Sequence, residues 1–460
     1  MTCNSEKLNL NKLSGVYFAG IGGVSMSSLA LILKSFGKNV AGYDFKESET
    51  THMLESKGIK VDYDSENVNL SGFETLCYTA AMRDDDPVLV TARNNGLQFI
   101  TRAELLGMVT SSYAHSIGIA GTHGKSTTTG FVTQILLEAN SDSTILSGAH
   151  LPSIDSTYRI GNGNIAAFEA CEYKNSYHSM HPTVRVVLNV ELDHVDFFGT
   201  LENVIDSFRT YINNESENGE NIAIVNLDNE NAVKAAENAT ANVLYFSACS
   251  KTDYYAENID LSTGFASFDL MYRGILMTRV SLSVPGMHNV YDAVAAAASA
   301  HVCGINVTAI KAGLENFVGA KRRFEKVGVL SSGAVVVDDY AHHPDEIRAT
   351  LSAAKKVATG KVICIFQPHT YSRTKALLAD FASALSLCDK VLCAKIYAAR
   401  EKNEYGISET ALCESIDKAE YYEDFSALAS RAEEISEKGD IILTMGAGDI
   451  YKVSDYFLFG

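Results

Sequence analysis

The sequence predicts an α/β protein built on parallel sheets with flanking helices, in three domains. Short apolar runs rich in β-branched residues, a glycine-containing turn and an amphipathic stretch follow one another in three separate segments. That alternation is the pattern of strand–turn–helix units in a parallel sheet. A chain of 460 residues also exceeds what one hydrophobic core supports, so the three segments read as separate domains.

The first segment, residues 1–113, opens with the strand GVYFAG, the turn GIGGVSMS and the helix SLALILKSFG, and the strand NVAGYD follows. Its turn has dinucleotide-loop spacing. Gly20 and Gly22 precede Asp44 by about twenty residues, where a carboxylate would meet a ribose hydroxyl. Ser25 stands at the third fingerprint position, so the stretch Gly20, Gly22, Gly23 and Ser25, with Asp44, predicts a holder for a diphosphate without compelling NAD. An NAD-dependent oxidoreductase remains an alternative at this point.

The second segment, residues 114–324, begins with the strand SIGIA and the helix STTTGFVTQILLEA. Between them lie Gly121, Thr122, His123, Gly124, Lys125 and Ser126, with Thr127 following. The common phosphate-loop pattern G-x-x-x-x-G-K-[ST] would place glycine at 119, where the chain has Ile119. The working parts are nonetheless present. Two glycines let backbone N–H groups turn into one concavity, and a helix N-terminus adds partial positive charge. Lys125 can reach terminal phosphates, and the Ser126 hydroxyl can ligate Mg²⁺.

Buried strands NIAAFEAC, TVRVVLNV and NIAIVNLD follow, and INNESENGEN reads as an exposed loop. The alternation in GFASFDLMYRGILMTRVSLSVPG predicts antiparallel strands, and NVYDAVAAAASAHVCG a helix. Mg²⁺ needs hard oxygen ligands, and Glu169, Glu191, Asp193 and Asp196 stand at strand ends able to supply them, with His194 in the same cluster where a metal could be reached. Glu169 and His194 are the preferred ligands; Glu172, Glu191 and Asp196, taken singly, read as solvated loop charges.

The third segment, residues 325–460, carries strands AVVVDD, KVICIFQ, DKVLCAKI and DIILTMGAGD. Polar residues follow each at its carboxyl end, where open α/β sheets bind ligands.

Formal net charge is −18, which argues against a broad nucleic-acid surface or attachment to anionic lipid. The N-terminus lacks the apolar core of a signal peptide and no run reaches 18 apolar residues, so the expected location is cytoplasmic. Nine cysteines lie scattered between Cys3 and Cys413 without a C-x-x-C pair; they read as buried small hydrophobes of a reducing compartment.

Taken in order, FAGIGGVSMSSLA, TRAELL, GTHGKSTTT, EACEY, NVELDHVDFF, VPGMHN, GAKRRFE, DDYAHHPDEI, FQPHTYSRT, IYAARE and MGAGD resemble the Mur ligase family across essentially the whole chain. The resemblance implies a Rossmann-like UDP-substrate domain, a central ATPase domain whose loop is the family's shorter G-T-x-G-K-[TS] form, and a Rossmann-like C-terminal domain that presents the amino acid. It implies ATP and Mg²⁺ as cofactors. The implied reaction is an amide bond between the lactyl carboxylate of UDP-N-acetylmuramate and L-alanine, through an acyl phosphate, in peptidoglycan precursor synthesis. Small molecules would be the substrates, without nucleic acid or membrane, and the chain would be a monomer or homodimer.

By resemblance, Lys125 holds the phosphates, and Ser126, Glu169 and His194 hold the metal. His288, Asn289 and Asp292 lie near the nucleotide, Arg323 neutralises the transferred phosphate, and Asp339 contacts ribose. Tyr340, His342, His369 and Arg373 fall in the amino-acid site. Three positions depart from the family pattern. Ser126 replaces threonine. Asp292 replaces an asparagine, and a carboxylate accepts from the adenine amine but cannot donate to a ring nitrogen. Thr370 replaces an arginine, which leaves Arg373 or a histidine to take the alanine carboxylate. The alternative within the family is a recycling ligase that joins a tripeptide to the same sugar.

Overall fold

A computed structural model describes residues 10–79, 82–216, 221–399, 401–417 and 419–460, except for the side chain of Asp196. Cys3 and part of INNESENGEN therefore lie outside the described residues, as does Arg400 of IYAARE. The chain divides into two compact units, Met1–Tyr254 with Ala295–Gly313, and Tyr255–Val294 with Leu314–Gly460.

The first unit holds one parallel sheet and a second sheet whose centre is parallel and whose edge pair, Thr144–Leu151 with Ser156–Arg159, is antiparallel. One runs in the order Lys60–Asp62, Asn39–Tyr43, Gly15–Ala19, Thr75–Tyr78, Gln98–Thr101. Gly15–Ala19, buried throughout, pairs on both sides, so the turn after Ala19 opens where the strand order reverses. The second sheet places His115–Ala120 between Val184–Val187 and Ile165–Glu169, parallel to both. The loops after Ala120, Glu169 and Val187 consequently leave at the same sheet edge, which converts three distant sequence motifs into neighbours. One apolar cluster runs through both sheets, from Val16 and Phe18 to Phe168 and Tyr177. The approach is close: a Cβ on Gly107 would sit 1.9 Å from the Ser179 carbonyl oxygen.

The second unit contains the expected antiparallel pair, Phe265–Tyr272 with Ile275–Pro285. Its six-stranded sheet has the order Glu325–Val329, Val335–Asp339, Ile441–Met445, Val362–Phe366, Lys390–Cys393, Glu420–Tyr421. The first pair is antiparallel and the rest parallel. Central strands such as Val362–Phe366 and Ile441–Met445 are buried along their whole length, as strands covered on both faces by helices are. Among the described residues no helix is long and apolar enough to cross a membrane.

Cysteine burial corrects the uniform expectation. Cys77, Cys364 and Cys393 are buried, but Cys249 is exposed and Cys171, Cys303, Cys388 and Cys413 are intermediate.

Candidate active site

The loop after Ala120 is shaped by its glycines and tied down by its neighbour. Gly124 has φ 86 and caps the helix Lys125–Glu138 without a side-chain cap hydrogen bond. The first N–H groups of that helix are thus left for an anion. Thr122 N donates to the Asn189 carbonyl at 3.1 Å, and His123 N donates to Asn189 Oδ1 at 2.7 Å. Asn189 Nδ2 returns a bond to the His123 carbonyl, and Glu191 N donates to Thr122 Oγ1. Asn189 therefore fixes the loop, although the sequence reading did not single it out.

Lys125 Nζ donates to the carbonyls of Gly121 and Thr122 and pairs with both carboxylate oxygens of Glu172, at 3.2 and 3.0 Å. Glu172 is 3% exposed, which overturns its reading as a solvated loop charge. The strand Ile165–Glu169 ends just before it, and the chain then enters the 3₁₀ turn Tyr173–Ser179, with Lys174 and Asn175 left-handed. Burial alone would raise the Glu172 carboxyl, but Lys125 and His194 beside it hold it below the usual range. Burial opposes the Lys125 charge as well, and the Glu172 carboxylate outweighs it, leaving the ammonium above the ordinary lysine range.

His194 Nε2 lies 3.6 Å from Glu172 Oε1, and its ring packs 4.6 Å from that of Tyr173. Its backbone is left-handed (φ 50), with its N–H held by Asp193 Oδ1. Glu169 accepts from Gly148 N and Ser147 Oγ on the adjacent strand, and its charge acts on Lys125. Ser126 is buried at the helix start; Thr127 is intermediate. Lys125, Glu172 and His194 are thus in contact, with Glu169 in electrostatic range. Among the described residues no three His, Cys, Asp or Glu side chains are gathered as a metal cage.

The first-segment loop is closed by hydrogen bonds to the next strand and to Asp44. Gly20 has φ 81, and Gly20 N and Ile21 N both donate to the Tyr43 carbonyl. Gly23 caps the helix Val24–Ser35, again without a side-chain cap. Asp44 Oδ2 accepts from Gly22 N at 2.7 Å, so one oxygen of the expected ribose ligand holds the loop itself. Arg102 Nη1 donates to Ser25 Oγ at 3.1 Å. A capping box between Thr101 and Glu104 starts the helix Arg102–Thr110 and sets Arg102 at its first position. The guanidinium is a cation for this loop that sequence reasoning passed over inside TRAELL.

In the second unit, Asp339 ends the strand Val335–Asp339. Its oxygens accept from Phe324 N and Ala341 N, each at 2.8 Å. Burial pushes its carboxyl up to about 6, against the opposing pull of Arg323. Both Arg322 and Arg323 lie over the Tyr340 ring, 5.1 and 5.3 Å from its centroid. Arg322 is consumed by Asp338 and by the Gly446 and Gly448 carbonyls, whereas Arg323 makes no ion pair among the described residues.

His342 Nδ1 lies 3.2 Å from Glu346 Oε2, and its ring faces Tyr340 at 5.4 Å and His369 at 5.9 Å. His369 stacks on Tyr397. Burial, then His342 and Arg373, push its imidazole down to about 4. Thr370, left-handed at φ 66, caps the helix Tyr371–Ala376 by accepting from Arg373 N. His288 begins the helix His288–Val302. Asn289, buried like Asp292, gives its amide to the Pro285 carbonyl at 2.7 Å.

Three family descriptions match the chain in order. "Mur ligase family, catalytic domain" covers residues 15–114, "Mur ligase middle domain" 119–300, and "Mur ligase, glutamate ligase domain" 322–448. The chain is 43% identical over 447 residues to the UDP-N-acetylmuramate–L-alanine ligase of Caldicellulosiruptor saccharolyticus, covering 96% of this chain and 98% of that protein. It is similar in structure to the UDP-N-acetylmuramate–alanine ligase of Thermotoga maritima, with a TM-score of 0.78, 27% identity, and 96% and 98% of the two chains covered. The MurF ligase of Thermotoga maritima in complex with ADP shares the fold, with a TM-score of 0.63 at 17% identity over 91% and 94% of the two chains.

Proposed function

This chain belongs to the Mur ligase family, and from that premise we propose that it is an ATP-dependent ligase joining the lactyl carboxylate of UDP-N-acetylmuramate to L-alanine in peptidoglycan precursor synthesis. The observation that carries the reading is the uncapped helix start at Gly124, bearing Lys125 and Ser126, with Glu172, His194 and Glu169 gathered at the same sheet edge.

A carboxylate resists attack by an amine until one of its oxygens becomes a good leaving group. Transfer of the terminal phosphoryl group of ATP to the lactyl carboxylate supplies that group as an acyl phosphate. The alanine amine then attacks the carbonyl carbon, and phosphate departs from the tetrahedral intermediate. Two anions must meet in the first step, so fixed positive charge aimed at the phosphoryl oxygens lowers the barrier. Lys125 and the helix N–H groups provide it in the central segment.

The Ser126 hydroxyl and the Glu169 carboxylate are hard oxygen donors, and with His194 they would hold Mg²⁺. When bound, Mg²⁺ neutralises charge on the phosphoryl group. Glu172 holds Lys125 in place. In the first segment, Gly20, Gly22, Gly23 and Ser25 with Arg102 cradle the UDP diphosphate. His342, His369, Tyr340 and Arg373 form the amino-acid site.

Phosphate release measured with UDP-N-acetylmuramate and L-alanine, glycine, L-serine or the stem tripeptide tests the reading. Release that requires the sugar nucleotide and is fastest with L-alanine is expected. Activity confined to the tripeptide would overturn the substrate assignment.

A further inference from the structure

Four cysteines converge in the six-stranded half of the second unit. Cys364 and Cys393 sit in the buried core on the neighbouring strands Val362–Phe366 and Lys390–Cys393, and Cys388 and Cys413 pack against that core from less buried positions. The Cys393 thiol is hydrogen-bonded to that of Cys413, and Cys364 to Cys388. Cys413 lies on the short helix Ala411–Glu414, which packs on the strand ending in Cys393.

We propose that Cys393 and Cys413 are a modification site: a thiol pair that forms a reversible disulfide and clasps the segment 394–412 at its two ends. That segment contacts the loop bearing His369 and Thr370 at several points. Tyr397 stacks on His369, and its carbonyl accepts from Thr370 N. Glu401 accepts from Ser372 N at 2.9 Å and from Ser372 Oγ. Glu409 accepts from the Tyr371 hydroxyl and from Ile396 N. A clasp at 393 and 413 therefore bears on the amino-acid site, a consequence that rests on the function proposed above.

The pairing follows from access and charge. The hydrogen bond to Cys393 draws the Cys413 thiol below the usual thiol range despite its partial burial, and a thiolate is the attacking species. Cys393 is pushed up by the same bond and by burial, which suits it to the second, intramolecular step. Cys364 is fully buried, and Cys388 Sγ is engaged with the Leu385 carbonyl at 2.8 Å.

With a small disulfide RSSR as oxidant, the Cys413 thiolate attacks one sulfur, forms the mixed disulfide and expels RS⁻. Cys393 then loses its proton, and its thiolate attacks Cys413 Sγ and expels the second RS⁻. The protein is oxidised by two electrons, and RSSR is reduced to two thiols.

Full-length protein is treated with oxidised glutathione, alkylated, digested without reductant and mapped by mass. The expected product is a cross-linked peptide pair containing Cys393 and Cys413, two hydrogens lighter than the reduced peptides and released by dithiothreitol. The link should be absent in both Cys413→Ser and Cys393→Ser, either of which suffices if the other fails to fold. A Cys364–Cys388 link instead, or glutathione adducts without any link, would overturn the proposal. Because mapping requires no turnover, its result stands apart from the substrate assignment. In the oxidised enzyme the alanine KM should rise at least about threefold and recover on reduction; an unchanged KM in fully linked protein would overturn the claim that the clasp bears on the loop.

Discussion

Lys125 and Glu172 illustrate how one buried ion pair divides its work. Lys125→Ala should abolish phosphate release, lowering it by at least about a thousandfold as one preorganised cation is lost, while UDP-sugar binding by the first segment stays nearly unchanged. Calorimetric titration with the sugar nucleotide checks the second half, and loss of both would contradict separate sites. Glu172→Gln should act first on stability. It leaves the Lys125 ammonium without its carboxylate at a mostly buried position, and breaking such a pair costs about 3 kcal/mol. Thermal unfolding measures this, and an unchanged Tm would show that Glu172 does not hold the lysine. Arg102→Ala should instead raise the KM for UDP-N-acetylmuramate about tenfold, the worth of one charge-assisted hydrogen bond, without changing the KM for alanine.

At the scale of elements, short helices and strand ends decide the geometry. Thr370 is more than a departure from a family pattern, because its hydroxyl caps the helix Tyr371–Ala376, a role that arginine cannot fill. Thr370→Ala should cost about 1 kcal/mol of stability through the lost cap, visible in denaturant unfolding, and a gain in stability would contradict the assignment.

Two groups in the second unit set opposing pH dependences. The His369 imidazole is pushed down to about 4, so the unfolded chain binds more protons between its ordinary value, about 6.5, and about 4. The stability that His369 contributes is therefore present above that window and is lost as pH falls through it. The Asp339 carboxyl is pushed up to about 6, so its contribution is present at low pH and lost as pH rises from about 4 to about 6. His369→Gln should remove only the first slope. Between pH 6.5 and 4 the wild type should lose stability relative to this variant, by about 2 kcal/mol in total, in urea titrations across that range. A wild-type advantage that grows as pH falls would contradict the sign.

At the scale of the molecule, most long elements were legible because their patterns are strong. SIGIA and the helix after GTHGKS emerge as His115–Ala120 and Lys125–Glu138, since a β-branched run and a glycine turn leave few alternatives. Strands such as Lys60–Asp62 and Glu420–Tyr421 are too short to carry a period and exist because a neighbour pairs with them. The site was partly legible for the same reason. Lys125, Ser126 and Glu169 sit at strand or helix ends that the sequence marks. Glu172 meets Lys125 across 47 positions, and Arg102 meets Ser25 across 77 positions, contacts that no local pattern encodes.

The central claim is that a backbone-amide and lysine clamp lets ATP turn a sugar carboxylate into an acyl phosphate that alanine then attacks. Isotope transfer tests it most directly. UDP-N-acetylmuramate labelled with ¹⁸O in both lactyl carboxylate oxygens is turned over with ATP and L-alanine, and the released phosphate is analysed by mass. One ¹⁸O in each phosphate is the predicted result. Unlabelled phosphate, or label carried instead into AMP, would contradict the account.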